Sequence, residues 1–272
     1  MTLLEDREVG AAEQVRPTGG DRRRRLRTIG LGLIVPVVFV LAWQVAATSG
    51  AYSPSQLPTP LSVLGALSDL LARGELWQNV AISVQRVLAG FAVGAVAGVA
   101  LGGLVGIWRP ARDLLAPSVQ ALRAVPSLAW VPLLLLWLGI GETPKIVLVA
   151  IGAFFPVYTT VAAALAHVDP HLVEVGRAYG RRGLRLFLTV QLPAIAPGTM
   201  AGLRLGLAQG WLFLVAAELI ASSIGLGFLL IDSQNTGRTD VLLLAIVLLA
   251  LLGKLTDGVL GLVQTRLLRR WT

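Results

Sequence analysis

The sequence predicts an all-α, polytopic membrane protein with about six transmembrane helices, and three observations support this prediction. The 272 residues are 55% hydrophobic and only 14% charged, a balance far from that of soluble domains. The apolar residues form runs that approach or exceed the roughly 20 residues needed to cross a bilayer core about 30 Å thick. The basic residues lie mainly at the ends of these runs. A single membrane domain follows.

Hydropathy places the six spans at residues 29–47, 80–108, 114–138, 146–166, 192–220 and 241–263. Residues 1–28 are polar and arginine-rich and are expected to form a disordered basic tail, which leaves residues 29–272 as the transmembrane domain. The first apolar run has no small-residue cleavage site, so it is interpreted as an uncleaved signal anchor.

The distribution of basic residues predicts the orientation of the chain. With the N-terminus inside, sixteen of the 23 lysines and arginines fall on the cytoplasmic side, so the positive-inside rule places both termini in the cytoplasm. The basic residues at the ends of the spans account for the net charge of +8. A nucleic-acid partner is therefore not expected. The transmembrane helices are expected to contact membrane lipid.

Two segments on the outer side are predicted to be interfacial helices. In the first, Thr59 can cap a helix and Pro60 suits its first position, while leucines follow at helical spacing. The second is "SSIGLGFLLIDSQNTGRTD", after the fifth span. Both are expected to lie along the membrane surface.

The second span carries glycine at every fourth position. A glycine stripe lets a neighbouring helix approach closely, and close packing drives association inside a membrane. A packing role is therefore predicted for Gly90, Gly94, Gly98, Gly102 and Gly106. Prolines in the later spans predict local kinks.

The stretch "DPHLVEVGRAYG", residues 169–180, is a short polar helix between the fourth and fifth spans. Asp169 suits the N-cap, Pro170 the first turn, and Gly180 the position just beyond the end. One face carries Leu172, Val175, Gly176 and Tyr179. An isolated helix this short is marginal in water, so the face needs a partner. From composition alone, headgroups, the protein's own span ends, and a groove on another protein stay open.

The following residues resemble the EAA loop of the binding-protein-dependent ABC importer permeases. The family pattern is Glu-Ala-Ala, three residues, Gly, nine residues, Ile, one residue, Leu-Pro. In "EVGRAYGRRGLRLFLTVQLP", Glu174, Gly180 and Pro193 stand at the matching Glu, Gly and Pro positions. Val175 and Gly176 replace the two alanines, and Val190 replaces the isoleucine.

The resemblance extends from about residue 62 to the C-terminus. "LRAVPSLAWVPLLLLWLGIGETPKI", "FFPVY", "AGLRLGLAQGWLFLVAAE" and "ALLGKLTD" are similar to the sulfonate, taurine, nitrate and bicarbonate branch, and most of all to its aliphatic sulfonate permeases. The resemblance implies a type I importer fold in the inner membrane, a homodimer, and delivery of a small anion by an extracytoplasmic binding protein. It also implies that the EAA loop docks as a coupling helix into an ATPase subunit, two of which complete the transporter.

The chain has no phosphate-binding loop of its own, because Gly253 and Lys254 are followed by leucine rather than serine or threonine. ATP is therefore expected to be used by the partner ATPase, with no cofactor bound by this chain. The following residues are interpreted as contacting the ATPase: Asp169, Leu172, Glu174, Val175, Gly176, Tyr179, Gly180 and Pro193.

Ionisable residues within apolar runs are candidates for a substrate path, because each is costly to insert. Arg123 and Arg204 can attract an anion, although both can instead extend to the interface or pair internally. Glu218 is interpreted as pairing or gating, and Lys254 and Asp257, three residues apart, as a pair on one helix. Trp130, Trp137 and Trp211 can line a cavity, although tryptophan is commonest as an anchor at the membrane interface. Trp211 is a further candidate for the path.

No arrangement of residues suggests catalysis or a metal site, since His167 and His171 share a face without an evident third ligand. A secondary transporter is the alternative from another class. It predicts internal repeats and paired mid-membrane carboxylates, and the sequence shows neither.

Overall fold

The computed structural model describes residues 20–269, which divide into two compact units between Pro60 and Leu61. In the first unit, α1 covers Gly20–Thr48. The Trp43 indole nitrogen donates to the Pro58 carbonyl at 2.9 Å, which holds the chain after α1. Residues 1–19 of the predicted tail lie outside the described residues. Residues 20–28, which were assigned to that tail, belong to α1.

The second unit is helical throughout its described length. Its helices are α2 (Pro60–Ala72), α3 (Glu75–Ile107), α4 (Arg109–Ala124), α5 (Trp130–Leu138), α6 (Glu142–Ala166), α7 (Pro170–Ala178), α8 (Gly183–Leu186), α9 (Leu192–Ala194), α10 (Ala196–Ala221), α11 (Leu226–Thr236) and α12 (Thr239–Leu268). A 3₁₀ turn at Ser127–Ala129 precedes α5, and a π-helical turn at Phe187–Gln191 joins α8 to α9.

Four described helices are long and apolar enough to cross a membrane, namely α3, α6, α10 and α12. The pair formed by α4 and α5 makes a fifth span if it is counted as one, although the pair bends by 80° at its break. The described apolar part of α1 is Ile34–Thr48, which is shorter than a full span. The first predicted span therefore stays a prediction.

The third span, predicted at residues 114–138 with kinks at Pro126 and Pro132, is broken between α4 and α5. The chain leaves the helix at Val125, whose backbone is extended, and resumes helical conformation after Pro126. A residue before proline is driven out of the helical region by the proline ring, which explains the position of the break. The fifth span also differs, because α9 ends at Ala194 and α10 begins at Ala196.

The core consists of α3, α6 and α10. The glycine stripe of α3 lies against α6, from Gly90 beside Val149 to Gly106 beside Leu165, so these two helices run parallel. A Cβ atom at Gly94 would overlap the Ala150 carbonyl oxygen. Helix α10 runs antiparallel to α6, with Gly202 beside Thr160 and Gly210 beside Val149. Close packing of small residues supplies the association that the hydrophobic effect cannot supply in lipid.

The remaining helices pack around this core. Helix α12 contacts α10 and α11, while α4 contacts α3 and α5 contacts α6. Helix α7 begins four residues after α6 ends, so it lies at one end of the core, and the first turns of α3 and α6 lie at the other.

Candidate functional site

Helix α7 has both ends capped by its own residues. The Asp169 side chain accepts a hydrogen bond from the His171 backbone N–H at 2.9 Å, and Pro170 occupies the first helical position. At the other end, Gly180 has a φ of 74°, a left-handed conformation that glycine adopts without strain. The N–H groups of Gly180 and Arg181 bond back to the carbonyls of Arg177 and Gly176, which is the Schellman arrangement.

One side of α7 is closed against its own loop. Gly176 is the buried residue of the helix, and a Cβ atom there would come within 2.6 Å of Leu186 and 3.1 Å of Val190. The EAA-like segment therefore folds back on itself, because Leu186 and Val190, which follow Gly180, pack against α7 at Gly176. Because Gly176 has no side chain, α7 lies close to these two residues.

The same side of α7, which includes Gly176, borders an open apolar groove of about 460 Å³ between the helix and its loop, here called the α7 groove. Leu172, Val175 and Tyr179 remain 47%, 54% and 81% exposed. The groove is completed by the following residues of the loop: Arg181, Thr189, Val190, Pro193 and Ala194. Apolar side chains that stay exposed together are typical of a surface that binds another molecule.

The carboxylate of Glu174 also lies on the exposed surface of α7. Its side chain is 73% exposed, and its Oε2 lies 3.9 Å from His171 Nδ1. The structure therefore brings together the residues predicted to contact the ATPase on one short element, with Gly176 forming its inner side and Pro193 lining the groove.

A second polar site lies at the opposite end of the core and was not identified from the sequence. The Arg86 guanidinium, whose side chain is 1% exposed, donates from Nε and Nη2 to the two oxygens of Glu142, both at 2.6 Å. Its Nη1 donates to Glu218 Oε1 at 2.6 Å and to the Ile224 carbonyl at 2.7 Å. Lys145 donates to Glu142 at 3.0 Å. We call these four charged residues the Arg86 cluster.

Polar groups from several helices complete the Arg86 cluster. Glu218 is fully buried and also accepts from the Ser83 hydroxyl at 2.8 Å and the Gly227 N–H at 2.8 Å. Asn79 accepts from the Gly225 N–H at 2.7 Å. The cluster has two positive and two negative charges, so the buried charges are paired and the beginning of α11 is tied to α3.

A sequence signal for Arg86 was present. Arg86 lies inside the predicted span 80–108, where any ionisable residue is a candidate for a specific role. The positive-inside count places Arg86 on the outer side, outside the sixteen cytoplasmic basic residues. Glu218 was predicted to pair or gate, and its burial in the cluster supports pairing and removes it from any exposed substrate path.

Two other candidates for the substrate path are buried or paired between α10 and α12. Arg204 forms a two-point ion pair with Asp257, at 2.7 and 2.8 Å. The direct partner of Asp257 is therefore Arg204 on α10, and Lys254, which was expected to pair with it, acts on the carboxylate only through a weaker charge interaction. Trp211 is 7% exposed and donates from its indole nitrogen to the Thr256 hydroxyl at 3.0 Å.

Arg123 differs from the other candidates. It is exposed in the last turn of α4, beside the break, and none of the ion pairs recorded among the described residues involves it. Trp130 lines an apolar cavity between α3, α5 and α6, as one of the three tryptophans was expected to do.

Comparisons with known proteins agree with this architecture. A family model described as the inner membrane component of binding-protein-dependent transport systems matches residues 90–269. The putative aliphatic sulfonates transport permease protein of Escherichia coli K12 is 44% identical over 237 residues, covering 87% of this chain and 90% of the relative. Its counterpart in Bacillus subtilis 168 is 38% identical over 258 residues, covering 95% and 92%.

A solved structure shows the same fold. The MetNI methionine ABC transporter in an inward-facing conformation contains a chain that superposes with a TM-score of 0.59 at 23% identity, covering 74% of this chain and 98% of that one. The family match over residues 90–269 and the identity to permeases along most of their length establish that this chain belongs to the inner membrane components of binding-protein-dependent transport systems.

Proposed function

We propose that this chain is the membrane-spanning permease of an ATP-driven importer, in which two copies combine with two ATPase subunits. An extracytoplasmic binding protein delivers the substrate. ATP is bound and hydrolysed by the ATPase subunits, and this chain provides the path and the mechanical link. It is an inner membrane component and not an enzyme, as its permease relatives indicate.

The observation that carries this proposal is the exposed face of the capped helix α7, which borders the α7 groove. A helix that is capped at both ends is already ordered before it binds, so docking does not have to supply its folding free energy. Leu172, Val175 and Tyr179 offer apolar contact area, and Glu174 offers a charge for a basic partner group. This combination suits the insertion of α7 into a groove on another subunit.

The core helices explain how movement of α7 reaches the membrane. Helix α7 follows α6 after a short turn, and α6 is packed along its length against α3 and α10. Closely packed helices move together rather than deform. Closure of the ATPase dimer therefore moves α7 and swings the core between inward-open and outward-open states.

The distribution of basic residues supports an orientation with α7 in the cytoplasm. Arg177, Arg181, Arg182 and Arg185 lie in or beside the α7 loop, as the positive-inside rule requires for a cytoplasmic segment. This orientation places both chain ends in the cytoplasm and the Arg86 cluster toward the outer side.

The substrate we propose is an aliphatic sulfonate. Two relatives that match most of their length with this chain are named as aliphatic sulfonates permeases. Taurine and nitrate permeases are more distant relatives, at 33% and 34% identity. Taurine, nitrate and bicarbonate are therefore the competing substrates of the same branch.

The proposal is tested by reconstituting the permease with its ATPase and binding protein in liposomes and measuring ATP-driven sulfonate uptake. Glu174→Arg is expected to abolish substrate-stimulated ATP hydrolysis and uptake, because it reverses the charge on the docking surface. Asp232→Arg makes the same change on the exposed side of α11, at the far end, and should retain both activities. Normal substrate-stimulated hydrolysis in the Glu174 variant would contradict the assignment of α7.

A further inference from the structure

The surface of helix α2 has a buried side and an apolar side that stays exposed. Three buried residues lie within about 60° of one another around the helix axis, namely Val63, Ala66 and Leu70. Three leucines lie within about 80° of one another on a different side. These are Leu61, Leu64 and Leu71, which are 71%, 59% and 42% exposed. We call this second side the leucine sector of α2.

A third side of α2 is polar and lies about 130° around the axis from the leucine sector. It carries Ser62 and Asp69, both exposed. The Asp69 carboxylate lies 3.9 Å from the guanidinium of Arg238, which directly precedes α12. A helix with separate buried, apolar and polar sides suits a membrane surface, where protein, lipid and water lie in three different directions.

One polar side chain lies within the leucine sector, and its hydrogen bonding is compatible with lipid. Ser68 lies between Leu61 and Leu64 around the helix axis. Its hydroxyl donates to the Gly65 carbonyl of the same helix at 2.7 Å. A hydroxyl beside acyl chains needs an internal acceptor of this kind, because lipid offers none. The leucine sector can therefore enter lipid without leaving this donor unpaired.

Two exposed tryptophans on α3 indicate the depth at which α2 lies. Trp77 is in the first turn of α3 and Trp108 directly follows its last residue, and they are 67% and 57% exposed. They are separated by about 46 Å along the helix axis, close to the thickness of about 40–45 Å of a bilayer with its head groups. Tryptophan is enriched at both membrane surfaces. Since α2 ends at Ala72, five residues before Trp77, it lies at the level of the head groups.

We propose that α2 is a membrane-surface anchor whose leucine sector inserts between the lipid head groups and the acyl chains. The sequence predicts a helix along the membrane surface, and the structure adds which side enters lipid. The leucine sector and the polar side point in nearly opposite directions at the depth where lipid gives way to water. This order matches the membrane itself, so lipid is favoured over a second copy of the chain as the partner.

The anchor sets the depth of the Arg86 cluster. Helix α3 begins at Glu75, three residues after α2 ends, so the position of α2 fixes the first turn of α3. Arg86 lies nine residues beyond Trp77, about 13 Å further along α3. An anchored α2 therefore holds the cluster at a fixed distance below the membrane surface.

The experiment uses single cysteines that carry a nitroxide label, since the chain contains no cysteine of its own. Ser68→Cys and Ser62→Cys make the same change in the leucine sector and on the polar side. The complete transporter is reconstituted in phosphatidylcholine vesicles, and collisions of the label with oxygen and with a water-soluble nickel chelate are measured. Oxygen concentrates in lipid, so the ratio of oxygen to nickel collisions should be about fivefold higher at Ser68 than at Ser62.

Leu64→Cys gives a second label in the leucine sector and should show the same high ratio as Ser68→Cys. All three labelled variants should keep the wild-type thermal midpoint, because the three side chains are exposed. If Ser68→Cys lowers the midpoint, the comparison is made between Leu64→Cys and Ser62→Cys.

Three outcomes would overturn the anchor. Equal ratios in the two sectors would mean that both sides of α2 meet the same surroundings. A higher ratio at Ser62 would mean that the polar side enters lipid. Exclusion of both reagents from Ser68 and Leu64, with magnetic broadening between two labels, would mean that a second copy of the chain covers the leucine sector. The measurement requires neither substrate nor ATP, so its failure leaves the proposed function unchanged.

Discussion

The Arg86 cluster and the α7 groove lie at opposite ends of the same three-helix core and are built in opposite ways. The cluster gathers charges from α3, α6 and α10 and buries the Arg86 and Glu218 side chains. The α7 groove is made by one loop of consecutive residues and leaves its apolar side chains exposed. The cluster satisfies its polar groups within the chain, whereas the groove remains open to another molecule.

This difference indicates how the two ends divide their roles. Removing one member of a buried ion pair leaves the other charge buried without a partner, so a cluster of this kind resists change. A capped surface helix can lose an exposed side chain with little effect on folding. We therefore expect the cluster to determine stability and the α7 groove to determine coupling.

The largest effect on stability is expected at the centre of the cluster. Arg86→Met leaves the Glu218 carboxylate buried without its cation and should lower the free energy of unfolding by about 3–5 kcal/mol. Thermal unfolding of the detergent-solubilised protein measures this loss. Arg73→Met removes an exposed arginine and is the control. An unchanged midpoint for Arg86→Met would show that the cluster contributes little. Adding Glu218→Gln should recover part of the loss.

An intermediate effect is expected on the packing that connects the two ends. Gly94→Ala places a Cβ atom against the Ala150 carbonyl of α6, and because a backbone atom cannot turn aside, the helices must separate. We expect a loss of about 1–3 kcal/mol in the same unfolding measurement. Gly253→Ala, on α12, meets no atom within 4 Å and should be neutral. Equal stability of the two variants would refute close packing at the stripe.

The smallest effect on stability is expected in the α7 groove. Tyr179 is 81% exposed, so Tyr179→Ala should change the free energy of unfolding by less than about 0.5 kcal/mol. The same variant should bind the ATPase subunit more weakly in a co-purification experiment. A large loss of stability would mean that the Tyr179 side chain serves the fold, and the contrast between the two ends would disappear.

Local signals made α7 the most predictable part of the candidate site. Asp169, Pro170 and Gly180 act on backbone groups a few residues away, so their roles as helix-ending residues are visible in the sequence. The spacing of glycines on α3 likewise predicted a packing face. The sequence does not identify its partner, because α6 and α10 are both glycine-containing apolar helices.

The ion pairs were less predictable, because their members are distant in sequence. Arg204 and Asp257 are 53 residues apart, and a helix-local rule assigned Asp257 to Lys254 instead. Spacing on one helix indicates which residues can meet, whereas the packing of α10 against α12 decides which carboxylate a guanidinium reaches. Pro126 predicted a kink in the third span, whereas the 80° change of direction between α4 and α5 depends on how the two helices pack.

By itself, the sequence determined the membrane class, most of the helices, the capped helix α7 and the family resemblance. These depend on composition and on residues close together in the chain, where periodicity and capping chemistry act. Only the tertiary structure decided that Arg86 joins Glu142 and Glu218, 56 and 132 residues away. It also decided that Leu122 and Trp130 share one cavity across an 80° bend. Such contacts exist only once the helices pack, because packing decides which side chains distant in sequence are buried against each other.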